Sequence, residues 1–102
     1  MHASVEQHRV GIEDLCRRYG VRTLDVFGSA TRGDFDEARS DVDFLVEFDS
    51  RPPSMSALRQ YFGLKEDLEQ LLGRSVDLVS GKLENPYLRR SVEASREPLY
   101  AA

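Results

Sequence analysis

Tryptophan is absent from this chain and cysteine occurs once. The single Cys16 excludes an internal disulfide, so no covalent staple holds the fold and nothing points to an oxidising compartment. Histidine is also scarce. His2 and His8, six residues apart, read as solvated or half-buried side chains, not as a metal pair. No apolar run approaches the roughly 18 residues of a membrane-spanning helix. The N-terminal MHASVEQHRV lacks the apolar centre of a signal peptide, so the expected location is the cytoplasm. An excess of positive charge is missing too: 14 Lys and Arg stand against 18 Asp and Glu, a net charge of −4. That argues against a general nucleic-acid coat and against an anionic-membrane binder, while leaving room for a local basic pocket.

What is present suits a small globular domain. The 102 residues are 40% hydrophobic and 31% charged, enough for one modest core and no second one. Residues 1–102 are therefore read as one domain.

Helical spacing of Val5, Ile12, Leu15, Cys16 and Tyr19 predicts a first helix, opened by the capping-box pair Ser4 and Gln7 and stopped at Gly20. Val21–Phe27 is rich in strand formers. Residues 31–40 are polar, with Gly33 as a breaker, and read as a loop. Asp41–Phe48 reads as a second strand. A second helix is predicted over 56–72, with Leu58, Tyr61, Phe62, Leu68, Leu71 and Leu72 on one broad face and Gly73 as its stop. Ser75–Ser80 is a third strand. Asn85 and Pro86 open a last helix whose inner face carries Leu88 and Val92. The terminal PLYAA is either a short fourth strand or a frayed end. The expected fold class is α/β (α+β): a small mixed sheet of three to four strands with helices on one face.

The chemistry gathers around VFGSATRGDFDEARSDVDFLVEF, residues 26–48. Side chains alternate across a strand. With Val42, Phe44 and Val46 inward, Asp41 and Asp43 project together from the other face. Val76 and Leu78 inward likewise send Asp77 outward. If the two strands are neighbours, three carboxylates share one face. Such a group is self-repelling unless cations sit within it, and hard oxygen ligands with room for water and phosphate suit Mg²⁺. Gly28 permits close backbone approach, and Ser29 with the amides that follow can meet phosphate oxygens. Arg32 and Arg39 are candidates to neutralise phosphate charge. Taken singly these features are bland. A D-x-D pair on a half-exposed strand is usually just solvated, and a Gly-Ser after a strand is usually just a turn. Asp25, in phase with Phe27, is either a group behind the site or a surface residue. Arg89 and Arg90 read as a solvated helix face.

The combined motif resembles the nucleotidyltransferase superfamily that includes DNA polymerase beta. GSATRG, SDVDFLVEF and the later VDLV are similar to its minimal nucleotidyltransferase (MNT) branch, over nearly the whole chain. The resemblance implies that Gly28, Ser29, Arg32 and Gly33 hold nucleotide phosphates, and that Asp41, Asp43 and Asp77 bind two Mg²⁺ ions and serve catalysis. Eleven residues separate Ser29 from Asp41, one more than is usual in the family, with the extra one in DFDEAR. The implied reaction moves AMP from ATP to an acceptor hydroxyl. MNT proteins pair with HEPN-domain ribonuclease toxins, so the implied partner is a HEPN toxin, adenylylated on a tyrosine. A homodimer is a further possibility, and no membrane or direct nucleic-acid partner is expected. Two other readings stand beside this one: a small-molecule (aminoglycoside-like) nucleotidyltransferase, and an inactive antitoxin acting by contact alone. The intact carboxylates favour an enzyme, and the lack of residues for an acceptor-holding domain favours a protein acceptor.

Overall fold

A computed structural model describes residues 3–28, 41–49, 51–80 and 86–102 of the chain. The elements run α1 (Ala3–Glu6), α2 (Arg9–Arg18), β1 (Val21–Phe27), β2 (Val42–Phe48), α3 (Ala57–Leu72), β3 (Val76–Ser80), α4 (Pro86–Ser95) and β4 (Glu97–Ala101). The sheet order is β3-β2-β1-β4. β1 is antiparallel to both β2 and β4, and β2 and β3 are parallel. The terminal PLYAA thus does form a strand. As an edge strand β4 tolerates Pro98, which has no N–H to give. The register slips between Leu24 and Asp25, where the partner changes from Tyr100 to Pro98.

The expected single first helix is two. The amide of His8 bonds the carbonyl of Val5 at 3.1 Å, an i→i−3 contact that tightens the chain and ends α1. Arg9 clasps Glu6 across this turn at 3.0 Å. Ser4 consequently lies inside α1, not ahead of it. The limits of α3 follow its sequence. The Ser56 hydroxyl accepts from the Arg59 amide at 3.1 Å, and Gly73 adopts φ 69° to close the helix.

Helices α2 and α3 cover one face of the sheet. Ile12, Cys16, Leu24, Val26, Val42, Phe44, Val46, Leu64 and Leu68 are all fully buried between them. The two helices approach closely at Gly63, where a Cβ would stand 2.8 Å from the Tyr19 ring. The buried Gln60 amide donates to the Tyr19 carbonyl at 2.8 Å, satisfying an orphan group at the end of α2. The broad face expected for α3 is displaced: Leu58 and Phe62 are exposed, while Gln60 and Gly63 are buried. Tyr61 packs against the core edge and gives its hydroxyl to the Leu78 carbonyl on edge strand β3.

One expectation needs correcting. The helices do not all lie on one face, because α4 packs on the other. There Val92 is fully buried with Phe27 and Leu45, and Val79 packs against them. These three strand residues make that face too apolar to leave in water, so it needs a cover. The side chain of Leu88, the Asn85 cap and the loop 31–40 lie outside the described residues.

Candidate functional site

The register assembles the site's centre. Val42 and Phe44 are fully buried on the core face, so Asp43 between them projects to the α4 face. Its partner across the parallel ladder is Asp77, flanked by the buried Val76 and Leu78. The two carboxylates therefore stand on adjacent strands at the same level and on the same face. Asp41, exposed, precedes β2 by one residue and lies two residues from Asp43. Across the antiparallel ladder Asp43 pairs with Phe27, which places Gly28 next to it.

Gly28 is fitted to Asp43. Its φ of 76° lies in the left-handed region, and a Cβ on it would come within 2.5 Å of Asp43 Oδ2. The close approach that sequence reasoning assigned to a ligand is thus already used by an aspartate. The Gly28 amide donates to the Ser95 hydroxyl at the end of α4, at 3.0 Å. One residue pair along, Asp25 is only 6% exposed and is gripped by Arg96, at 2.9 Å from Nε and 2.7 Å from Nη2. Of the two readings of Asp25, the structure supports a buried group behind the site. Ser95 and Arg96 were missed by sequence reasoning. A Ser-Arg pair closing a helix carries no signal, and only the tertiary fold brings it to the turn after β1.

Ser29, Arg32, Gly33 and Arg39 lie outside the described residues. Among the described residues no three His, Cys, Asp or Glu side chains stand close enough together to hold a metal ion. Asp41, Asp43 and Asp77 therefore do not form a closed cage, but their oxygen donors are of the type a hard divalent cation takes. Asp43 and Asp77 are lateral neighbours, Asp41 is two residues upstream, and all offer carboxylate oxygen. Two like charges at adjacent positions repel, and a cation between them would turn that cost into binding energy.

The same face continues past the carboxylates. Leu45 and Glu47 follow Asp43 at two-residue intervals. With Arg22, Thr23, Arg89, Glu93 and Arg96 they border an open cavity of about 750 Å³ beneath α4. Arg89 and Arg90 are exposed, as their sequence context suggested. Among the described residues no helix is long and apolar enough to cross a membrane.

Comparison with known proteins matches residues 9–99 to the nucleotidyltransferase domain. A protein of Methanocaldococcus jannaschii, provisionally named a protein adenylyltransferase, is 40% identical over 91 residues, 87% of this chain and 84% of that one. A solved structure of a provisionally named minimal nucleotidyltransferase superposes with a TM-score of 0.75 at 37% identity, covering 97% of each chain. The fold also recurs, at TM-score 0.64 and 19% identity, in a tri-AMPylated Shewanella oneidensis HEPN toxin in complex with MNT antitoxin; the match covers 95% of this chain and 72% of that one.

Proposed function

Because the chain belongs to the nucleotidyltransferase domain family, we propose that it transfers AMP from ATP to a protein hydroxyl and acts as the antitoxin of a HEPN toxin. The observation that carries this reading is the pairing of Asp43 with Asp77 on one face, beside the Gly28 turn. Apposed carboxylates next to a glycine turn after a strand suit phosphoryl transfer, where positioning and charge neutralisation supply most of the catalysis. The relative named a protein adenylyltransferase supports a protein acceptor, and the HEPN–MNT complex supports the kind of partner.

In this reading the acceptor oxygen attacks the α-phosphorus of ATP. The bond from that phosphorus to the bridging oxygen breaks, and pyrophosphate leaves. The hydroxyl proton passes to a carboxylate, here Asp77, on the exposed side of the pair. Asp41, Asp43 and Asp77 would hold two Mg²⁺ ions, which supply charge neutralisation and a lowered acceptor pKa when bound. Gly28, Ser29, Arg32 and Gly33 are assigned to the nucleotide phosphates. Gly28 acts through the shape of its turn, since its amide is engaged by Ser95.

The test incubates the chain with Mg²⁺, ATP labelled on the α-phosphate and the protein encoded by the adjacent gene. Label on that protein, absent with Asp41→Ala, Asp43→Ala, is the expected result. Tight binding with no label would replace catalysis by neutralisation through contact. In a parallel incubation with an aminoglycoside added, label on that compound and never on protein would move the substrate to small molecules.

A further inference from the structure

The ladder between β1 and β4 pairs Val26 with Glu97. That pair is the last of the ladder; two residues beyond Val26 is Gly28, and two residues back from Glu97 is Ser95, the last residue of α4. Here backbone pairing has ended, and a side chain takes its place: the Gly28 amide donates to the Ser95 hydroxyl at 3.0 Å. The neighbouring step is fixed as well, by the Arg96 guanidinium on the buried Asp25. The amide of Arg96 bonds the Val92 carbonyl at 2.7 Å, so the junction between α4 and β4 is itself tied to the last turn of α4. Val92 in turn is fully buried against Phe27 and Leu45. The turn that follows β1 is therefore clasped from outside by an element some 67 residues later in the chain.

We propose that Ser95 is a positioning residue for the nucleotide site, one that sets the Gly28 turn and with it the place of Asp43. The inference rests on the reading of this site as a nucleotidyltransferase centre. Asp43 Oδ2 fills the space where a Cβ on Gly28 would be, so the turn and the carboxylate cannot shift independently. Without the Ser95 hydroxyl, the buried Gly28 amide loses this partner. The turn then gains freedom to move toward water, and the carboxylate packed against it moves too. Ser95 itself touches no reacting atom in this scheme. It acts through Gly28 and Asp43. Arg96 holds the same junction through Asp25, so the clasp has two points and fixes direction as well as distance.

The test compares wild type, Ser95→Ala and Ser95→Thr in binding a non-hydrolysable ATP analogue with Mg²⁺, at a temperature where all three are folded. Loss of one neutral hydrogen bond at the turn should weaken analogue binding about fivefold in Ser95→Ala. Ser95→Thr, which keeps the hydroxyl, should return to the wild-type value. Amide hydrogen exchange at Gly28 should be slow in wild type and in Ser95→Thr, and faster in Ser95→Ala. Unchanged affinity in Ser95→Ala alongside faster Gly28 exchange would overturn the positioning role. Unprotected Gly28 exchange in wild type would overturn the clasp itself. A wild type that shows the protected amide and yet binds no analogue would overturn the nucleotidyltransferase reading, and this role with it.

Discussion

A Cβ on Gly28 would stand 2.5 Å from Oδ2 of Asp43. The glycine is thus required twice, once for its positive φ and once for the space its missing side chain leaves. Gly28→Ala is expected to cost about 1–3 kcal/mol, part from the left-handed backbone and part from the clash. Adding Asp43→Ala removes the clash and leaves the backbone cost. The double variant should therefore be about 1 kcal/mol more stable than the sum of the single changes. Urea unfolding of the four proteins measures the coupling, and strict additivity would mean that the two residues do not touch in solution.

Asp43 and Asp77 repel each other across the parallel ladder. Neutralising the exposed Asp77 relieves that repulsion, so Asp77→Asn should leave the unfolding temperature unchanged or slightly raised. AMP transfer should nonetheless fall by about 10²-fold or more, as expected when a preorganised charge at a reacting centre is removed. A stability loss matching the activity loss would point to a structural task for this carboxylate.

The Asp25–Arg96 pair is lopsided. The Asp25 side chain is 9% exposed and that of Arg96 47%. Arg96→Ala strands a buried negative charge and should cost about 2–3 kcal/mol. Asp25→Asn leaves a guanidinium that can turn to water and an amide oxygen that still accepts, so about 1 kcal/mol is expected. Equal costs in thermal or urea unfolding would contradict the asymmetry of burial.

The strands, their faces and the carboxylate pair were legible because a period-two pattern needs only local sequence. Val42, Phe44 and Val46 point one way, so Asp43 points the other. The α3 stripe was misjudged at Leu58 and Phe62 because apolar character alone does not say which residues face a partner helix. The crossing of α3 over Tyr19 selects Gly63, a residue with no hydrophobicity to read. The side of the sheet taken by α4 was also hidden. It is set by Phe27, Leu45 and Val79, residues from three strands that become one patch only after the sheet forms. Ser95 and Arg96 depend on the β1–β4 register in the same way.

Alkali provides a further test, through two acids on the α2 side. Burial pushes the Cys16 thiol up to about 12. Tyr19 is raised as well, first by burial and then by its hydrogen bond to Asp67 at 2.5 Å. Both groups keep their protons longer in the folded chain than in the unfolded one. The unfolded thiol ionises near pH 8.5 and the unfolded phenol near pH 10. Their contribution to stability is thus fully present at neutral pH. It drains away as pH climbs from about 8.5 toward the folded values. For Cys16 alone the loss between pH 8 and 10.5 should reach about 2–3 kcal/mol. Cys16→Ala lowers stability at every pH by opening a small cavity, so the informative quantity is the slope. Between pH 8 and 10.5 that slope should flatten in Cys16→Ala, and above pH 10 it should flatten further when Tyr19→Phe is added. An unaltered slope in both variants would place the alkaline instability elsewhere in the chain.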